Sequence, residues 1–273
     1  MWRRLFLCTV VQAVALLPCK GQQPFVPDCP NPSYPTPAPA KSLGIDAQCP
    51  LAGSGGEEAN QNQAKNNFCA SGTSQLMTIA DFTQLQNSAA TDSTIHFGDS
   101  GENKGPQVDR APLQKLGEGK LVTLTGYLVY VNQEGKESVN CENQVAAQPV
   151  FHDIHIELAD SATADKCSGV VVEMIPHHRP DVWTEPNVKK VETAKLQVRV
   201  TGQLLFDSSH FPCENGQARP GNPERISLWE IHPVYKFEVC GSATCTPAGW
   251  TPLDQWLKTK RARAIVVPTT SQP

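Results

Sequence analysis

The feature that most constrains the fold of this 273-residue chain is a set of five strand-like segments between residues 121 and 239. Each segment is either a short apolar run or an alternation of apolar and polar residues, which is the pattern of a strand with a buried face. Ile154 and Ile156, for example, flank His155. The segments are residues 121–131, 152–158, 170–175, 196–206 and 227–239. Residues 181–195, between the third and fourth segments, are polar with spaced apolar side chains and predict one helix.

Three strands, a helix and two further strands follow one another in the order of the five-stranded Greek-key barrel called the OB-fold. A plain five-stranded meander beside a loose helix is the alternative, and we favour the barrel. The sequence therefore predicts a mainly β protein. Its centre is a five-stranded OB-like Greek-key barrel with a short helix between strands three and four, preceded by a Pro-rich, disulfide-tacked N-terminal segment.

The whole chain divides by composition. We predict a signal peptide at 1–21, a Pro/Gly/Asn-rich N-terminal segment at 22–75, a short helix and loop at 76–119, the barrel domain at 120–241, and a C-terminal extension and tail at 242–273. Thr78 is a suitable N-cap, and Ile79 and Phe82 recur at helical spacing, so we expect a helix over 79–87. The many Gly and Pro residues of 98–119 predict a loop.

The N-terminus has the pattern of a secretory signal peptide. Arg3 and Arg4 precede an apolar run of about a dozen residues, which is too short for a transmembrane helix of roughly 20. Small residues place the cleavage between Gly21 and Gln22. A buried N-terminal helix and a lipoprotein cut before Cys19 are the alternatives. We expect a secreted or periplasmic protein with no stable membrane insertion.

Cysteine usage agrees with export. Eight of the ten cysteines follow the predicted leader: Cys29, Cys49, Cys69, Cys141, Cys167, Cys213, Cys240 and Cys245. An even number in an exported chain indicates disulfides, and zinc is the weaker alternative because none of the eight lies in a Cys-x-x-Cys pair. Barrel topology places Cys141 and Cys213 in loops at the same end, so we predict a bridge between them. Cys167 is then expected at the other end, near Cys240 and Cys245.

Charge narrows the classes of partner. Without the three basic residues of the predicted leader, 20 basic residues stand against 27 acidic ones, a net charge of −7. Binding to a phosphate backbone depends on clustered Lys and Arg, so nucleic acid is disfavoured. A protein or an oligosaccharide is the better expectation for a macromolecular ligand.

Strand alternation also predicts a polar constellation. If Ile154, Met174 and Ile231 enter the core, the residues that alternate with them point out of the barrel. In an OB barrel the third strand lies beside the second and the fifth, so these outward residues are expected to share one face. The predicted metal set is His155, Glu173, Glu230 and His232, with Asp153, His177, Asp207 and His210 as further polar candidates. Such ligands suit zinc or manganese, and the same groups serve in acid–base catalysis.

An ordinary solvated face is the alternative, because the outward faces of strands are polar by default. No catalytic residue is identified from the sequence. It carries no Ser-His-Asp ordering, no phosphate-cradling Gly loop and no paired-His helix motif.

Several strings resemble those of a family of uncharacterised exported bacterial proteins. They are D-I-H at 153–155, P-H-H-R-P at 176–180, F-D-S-S-H at 206–210 and W-E-I-H-P-V-Y at 229–235. The segment K-N-N-F-C-A at 65–70 is similar to a string in some members. The resemblance implies a bacterial, exported protein and brings no activity with it.

Two classes of function follow from the sequence. The favoured one is an exported binding or interaction module built on the OB-like barrel. The alternative is a metal-dependent hydrolase that uses the His, Glu and Asp face of the barrel.

Overall fold

The computed structural model of the protein describes residues 45, 49–98, 107–141, 151–177, 179–241 and 245–265. The predicted leader, its cleavage site at Gly21 and Gln22, and Cys29 lie outside the described residues. No helix of the described part is long and apolar enough to cross a membrane.

The described chain is mainly β, with a few short helices. The helices are α1 (Ala59–Lys65), α2 (Ile79–Thr91), α3 (Ala111–Leu116), α4 (Glu185–Thr193) and α5 (Leu253–Ile265). The strands are β1 (Gln75–Met77), β2 (Leu121–Gln133), β3 (Ile154–Ala159), β4 (Val170–Met174), β5 (Gln197–Phe206), β6 (Trp229–Cys240) and β7 (Trp250–Pro252). Short 3-10 turns include Ser138–Asn140 after β2 and Lys166–Ser168 before β4.

Strands β2 to β6 close into a barrel in the order β2-β3-β4-β6-β5, and β5 returns to β2. The long strand β2 makes this closure, because its second half pairs with β3 and its first half with β5. Parallel pairing of β4 with β6 at Val172 and Ile231 completes the ring. Helix α4 lies between β4 and β5 in the chain. The predicted five-stranded OB-like barrel, with one short helix between its third and fourth strands, is confirmed.

The barrel interior follows the predicted alternation. Trp229 and Ile231 of β6 are fully buried in the apolar core. The residues between and after them, Glu230 and His232, point to the outer face and are fully buried as well. The interpretation of this outer face as ordinary solvated surface is therefore wrong.

Helix α1 covers part of the outer face, and Gln203 of β5 links it to the barrel. The Gln203 amide donates to the Ala64 carbonyl at 2.7 Å and to the His232 carbonyl at 2.9 Å. Ala64 also packs against Leu205 of β5. Helix α1, which the sequence analysis assigned to an irregular N-terminal segment, thus covers a layer of buried polar side chains.

Two local predictions have different outcomes. Thr78 caps α2 in a capping box, with Asp81 N donating to Thr78 Oγ1 at 3.3 Å and Thr78 N donating to Asp81 Oδ2 at 2.7 Å. The loop predicted over 98–119 is wrong in part, because α3 lies within it. Pro112 suits the first turn of that helix, buried Leu113 anchors it, and Gly117, with φ 124°, follows its last residue.

The disulfides of the described residues are Cys49–Cys141, Cys167–Cys213 and Cys240–Cys245, and Cys69 is disulfide-bonded as well. The predicted Cys141–Cys213 bridge is wrong, and so is the expected proximity of Cys167 to Cys240 and Cys245. The chain after β2 turns onto the outer face and meets Cys49. The end of β5 and the start of β4 lie at the same end of the barrel, because Phe206 pairs with Trp229 and Val172 pairs in parallel with Ile231. Cys213, between β5 and β6, therefore lies beside Cys167, and Ile226 N donates to the Gly169 carbonyl at 2.9 Å.

Candidate functional site

Three buried side chains from different strand regions meet on the covered outer face. Asp153 immediately precedes β3, Glu173 lies in β4 and His232 lies in β6. One ligand atom from each, a carboxylate oxygen or a ring nitrogen, lies within 4.8 Å of the others. The ladder explains the convergence: His155 of β3 pairs with Glu173, and β4 pairs with β6 one residue away. We call Asp153, Glu173 and His232 the central triad.

Neighbouring polar groups contact one oxygen of each triad carboxylate and leave the other oxygen without a hydrogen bond. Asn140 Nδ2 donates to Asp153 Oδ1 at 3.0 Å, and His155 Nδ1 lies 3.2 Å from Glu173 Oε1. The second oxygens, Asp153 Oδ2 and Glu173 Oε2, make no hydrogen bond, nor does either ring nitrogen of His232. His232 Nδ1 nevertheless lies 3.2 Å from Glu173 Oε2, so an ionic contact joins them.

The two carboxyl groups of the triad have pKa values shifted in opposite directions. Burial, reinforced by the nearby Glu173 charge, raises the pKa of Asp153 to about 7. Burial acts in the same direction on Glu173, but His232, His155 and Lys65 outweigh it and hold the pKa of Glu173 below its usual range. Two buried carboxylates this close together repel each other, and a positive charge between them would stabilise both.

His155 sits among three carboxylates beside the triad. Its ring nitrogens lie 3.2 Å from Glu173, 3.5 Å from Glu157 and 3.7 Å from Glu134. Burial lowers the pKa of His155, but Glu157 and Glu173 outweigh it and raise the pKa to about 9. The 3.5 Å separation from Glu157 is at the limit of a hydrogen bond, so we treat it as an ionic contact. The ring also meets Tyr130 edge-on, with centroids 5.9 Å apart.

Glu230, the remaining residue of the predicted metal set, forms an ion pair with Arg225. Arg225 Nη1 donates to Glu230 Oε1 at 2.9 Å, and both side chains are almost completely buried. Glu230 Oε2 lies 3.5 Å from His232 Nδ1. Glu230 is therefore at the edge of the triad, with its charge balanced by Arg225.

Helix α1 contributes a second buried ion pair. Lys65 Nζ lies 3.0 Å from Asp207 Oδ2, directly after β5, and Gln61 Nε2 donates to Asp207 Oδ1 at 3.0 Å. Burial lowers the pKa of Lys65, but Asp207 outweighs it and the pKa rises well above its usual value. Burial raises the pKa of Asp207, yet Lys65 and His210 hold it well below the ordinary range. His210 Nε2 lies 3.6 Å from Asp207 Oδ2.

A cavity of about 570 Å³ lies over this polar layer. We call it the basin. Its lining charged groups and histidines are Glu58, Lys65, Glu134, Lys136, Glu137, His155, Glu173, Asp207, His210 and Arg225. Burial and the nearby Asp153 charge raise the pKa of Glu137 well above its usual value. Glu173 belongs to both the triad and the basin wall, whereas Asp153 and His232 are fully buried behind it.

The structure regroups the residues singled out from the sequence. His155, Glu173, Glu230 and His232 lie together on one buried patch, as their strand positions led us to expect. The closest ligand geometry, however, joins Glu173 and His232 to Asp153. Asp207 contacts both Lys65 and His210, whereas His177 is buried after β4.

Four residues of this patch were missed from the sequence: Gln61, Lys65, Asn140 and Arg225. Gln61 and Lys65 are one helical turn apart in α1, a spacing that could have been read as a polar helix face. Asn140 and Arg225 lie in irregular connections, where neither periodicity nor a motif marks a buried polar side chain.

Comparison with known proteins adds little beyond the architecture. No protein-family model and no curated protein matches the chain. Two structures of Entamoeba histolytica asparaginyl-tRNA synthetase, one in complex with asparaginyl-adenylate, are similar at 18% and 17% identity with TM-scores of 0.25. These matches cover 50% and 57% of this chain but only 23% and 24% of the synthetases, so the chain spans about a quarter of their length.

A further similar structure is the OBody AM3L09 bound to hen egg-white lysozyme. The match has 12% identity and a TM-score of 0.24, and it covers 46% of this chain and 86% of the OBody chain. At such TM-scores none of these likenesses carries an argument about a ligand.

Proposed function

We propose that this protein is an exported binding module whose ligand is a divalent cation, held by Asp153, Glu173 and His232. One observation carries the proposal: three buried metal-ligating side chains each bring one ligand atom within 4.8 Å of the others, and the same side chains carry atoms without hydrogen bonds, namely Asp153 Oδ2, Glu173 Oε2 and both ring nitrogens of His232. Buried polar atoms are almost always hydrogen-bonded, and leaving them unsatisfied is costly. A cation between them would satisfy all three.

The surroundings support a metal rather than a purely structural ion pair. Asn140 and His155 contact Asp153 Oδ1 and Glu173 Oε1, which leaves the second oxygen of each carboxylate without a hydrogen bond. Metal-binding side chains are typically oriented by such contacts to neighbouring groups. Two carboxylates and one imidazole suit zinc or manganese. Metal binding uses the neutral imidazole, and the cation itself would then supply positive charge next to Glu173.

Titration of the purified mature protein with Mn²⁺ and Zn²⁺ by calorimetry tests the proposal. We expect one cation per chain and at least a tenfold loss of affinity in E173Q and D153N, as for the loss of a ligand. E238Q is the matched control, because Glu238 lies on the same strand as His232 but pairs with Arg199 and Lys236. Binding that is absent in the wild type, or equal in E173Q and E238Q, would contradict the proposal.

A second candidate is a metal-dependent hydrolase, and the basin is the observation that favours it. A cation with three protein ligands keeps open positions for water and substrate, and Glu173 connects the triad to a space of about 570 Å³. Hydrolysis of 4-nitrophenyl phosphate and 4-nitrophenyl acetate by the Mn²⁺-loaded protein is the test. Turnover that needs Mn²⁺ and disappears in E173Q supports an enzyme, and its absence with both esters leaves the binding module.

Export is part of the same proposal. Disulfides form and persist in oxidising compartments, and each described cysteine is disulfide-bonded. N-terminal sequencing of the exported protein is expected to begin near Gln22. A sequence that begins at Met1 would contradict this part of the proposal.

A further inference from the structure

Glu230, at the edge of the central triad, has a carboxylate oxygen without a hydrogen bond. The side chain is fully buried on the outer face of β6. Arg225 Nη1 donates to Glu230 Oε1 at 2.9 Å, whereas Oε2 has no hydrogen-bond partner in the described part of the chain. That oxygen lies 3.5 Å from Nδ1 of His232. An unsatisfied buried carboxylate oxygen costs free energy, and a cation beside it would remove that cost.

The two carboxylates of the triad are arranged in the same way. Asn140 Nδ2 donates to one oxygen of Asp153, and His155 Nδ1 contacts one oxygen of Glu173. The other oxygen of each carboxylate has no hydrogen bond to a described residue. Each of the three carboxylates thus has one oxygen positioned by a neighbouring nitrogen and one oxygen available to an ion. Metal ligands are typically oriented by such contacts, so Glu230 fits the ligand set as well as the other two.

The strand positions bring Glu230 to the same ion site. Glu230 and His232 are two residues apart on β6, so their side chains lie on one face of the strand. Ile231, between them, pairs with Val172, the neighbour of Glu173 on β4. His232 Nδ1 lies 3.2 Å from Glu173 Oε2 and 3.5 Å from Glu230 Oε2. Ligand atoms about 2.1 Å from a tetrahedral zinc ion are about 3.4 Å from one another, so these two separations match edges of such a site.

The burial of the site restricts what else can reach the ion. Of the four side chains, Glu173 is the one that lines the basin. Asp153, Glu230 and His232 are fully buried. Glu230 lies outside the group of ligand atoms within 4.8 Å of one another, so its carboxylate has to move towards the ion as the site fills. Four protein ligands complete a tetrahedral shell, as in structural zinc sites, whereas catalytic zinc sites keep one position open.

We propose that Glu230 is the fourth ligand of a closed, tetrahedral zinc site formed with Asp153, Glu173 and His232. This inference rests on the proposed cation site and extends it, because it assigns both the ion and the complete set of protein ligands. A complete set leaves no position for water or substrate. The ion then joins the start of β3 to β4 and β6, and the site binds zinc without hydrolytic chemistry.

Calorimetry of the full mature chain with Zn²⁺ is the first of two tests. We expect one ion per chain in the wild type. E230Q should bind Zn²⁺ at least about tenfold more weakly, because even residues that only orient metal ligands contribute about tenfold or more to affinity. E238Q is the matched control, because Glu238 is another buried carboxylate of β6 that pairs with an arginine, Arg199, farther along the strand. We expect E238Q to bind Zn²⁺ as tightly as the wild type.

The second test detects an open coordination position. Co²⁺ replaces zinc as a spectroscopic probe, because its visible absorption changes when a ligand is added or exchanged. Azide binds to open metal positions, so it should leave the spectrum of the Co²⁺-loaded wild type unchanged. E230A removes the carboxylate and leaves room beside Arg225, so azide should change its Co²⁺ spectrum. A loss of folding does not produce this gained response, and E238A should remain insensitive to azide.

The outcomes separate the two proposals. If the wild type binds Zn²⁺ and E230Q binds it as tightly as E238Q, the inference is wrong and the three-ligand cation site stands. An azide-sensitive spectrum of the wild type, or binding of Mn²⁺ without binding of Zn²⁺, contradicts the inference in the same way. If the wild type binds no divalent ion, the proposed function fails and the inference fails with it. Circular dichroism identifies a misfolded E230A, and E230Q then decides.

Discussion

The inside and the covered outside of the barrel are equally buried and chemically opposite. Along β6, Trp229 and Ile231 enter an apolar core, whereas Glu230 and His232 enter a layer of buried charges. Burial of apolar area stabilises the fold. Burial of charges costs free energy that pairing only partly returns. One face of the strand therefore stabilises the fold, and the burial of the other face costs free energy. We expect a ligand on the face that carries the buried charges.

The largest effect is expected inside the barrel. Trp229→Ala removes a fully buried indole that packs edge-on against Phe206, with centroids 5.1 Å apart. We expect a loss of about 4 kcal/mol in the free energy of unfolding, from lost burial and the remaining cavity. Urea unfolding of W229A beside the ring-conserving W229F measures it. A loss below about 1 kcal/mol for W229A would mean that the interior does not hold the fold.

The next effect concerns the ion pair between α1 and the barrel. Asp207→Asn leaves the buried Lys65 ammonium without its countercharge, and we expect a loss of about 3 kcal/mol. D160N is the matched control, because Asp160 is exposed. Unfolding free energies of both variants at neutral pH decide the point. Equal stability of D207N and D160N would show that α1 is not held by this pair.

The same ion pair predicts a pH window. The pKa of Asp207 is lowered by folding, so its contribution is present above the unfolded value of about 3.9 and is lost as pH falls through the folded pKa. The pKa of Lys65 is raised, so its contribution is present below about 10.4 and is lost as pH rises through the folded pKa. The stability difference between wild type and D207N should therefore shrink as pH falls below about 4, where Asp207 becomes protonated in the unfolded chain. A difference of the same size at about pH 2 and about pH 6 would contradict it.

A substitution in the central triad is expected to change stability in the opposite direction. Asp153→Asn removes a buried negative charge next to Glu173 and introduces an amide that can donate to Glu173 Oε2. We expect the metal-free protein to gain about 1–2 kcal/mol while cation affinity falls. Thermal unfolding in the presence of a chelator gives the first quantity and calorimetry the second. A clear destabilisation would mean that Asp153 serves the fold.

The smallest effect lies outside both faces. Thr78→Ala removes the N-cap of α2 and should cost about 1 kcal/mol, since the capping box is exposed. S88A, at a half-buried position late in the same helix, is the control. If T78A costs as much as D207N, the order of importance proposed for cap and buried pair is incorrect.

Strand alternation was sufficient to predict the barrel and the direction of its side chains. It identified Glu173 and His232 as outward residues because period-2 patterning is a local property of the sequence. It did not reveal that the outer face is buried. The cover, α1, contributes Lys65 and Gln61 from a polar segment far away in the chain, and no periodic apolar stripe marks it as a packed element.

The cysteine pairing was predicted wrongly for a different reason, because the loops were assigned to the wrong ends of the barrel. Phe206 pairs with Trp229 and Val172 pairs in parallel with Ile231, so the end of β5 and the start of β4 lie at the same end. The barrel topology therefore favours the observed bridge between Cys167 and Cys213. The partner of Cys141 is Cys49, in the N-terminal segment, whose position the barrel topology does not predict.

The Cys49–Cys141 disulfide has a practical consequence for how the protein is produced. It closes 92 residues of chain, and Cys141 directly follows Asn140, the residue that orients Asp153. A chain made in a reducing cytosol can therefore build the same strands while the turn beside Asp153 stays untied. Two preparations with the same circular dichroism spectrum can then differ in how Asp153 is oriented, so the proposed cation site is to be tested on oxidised protein.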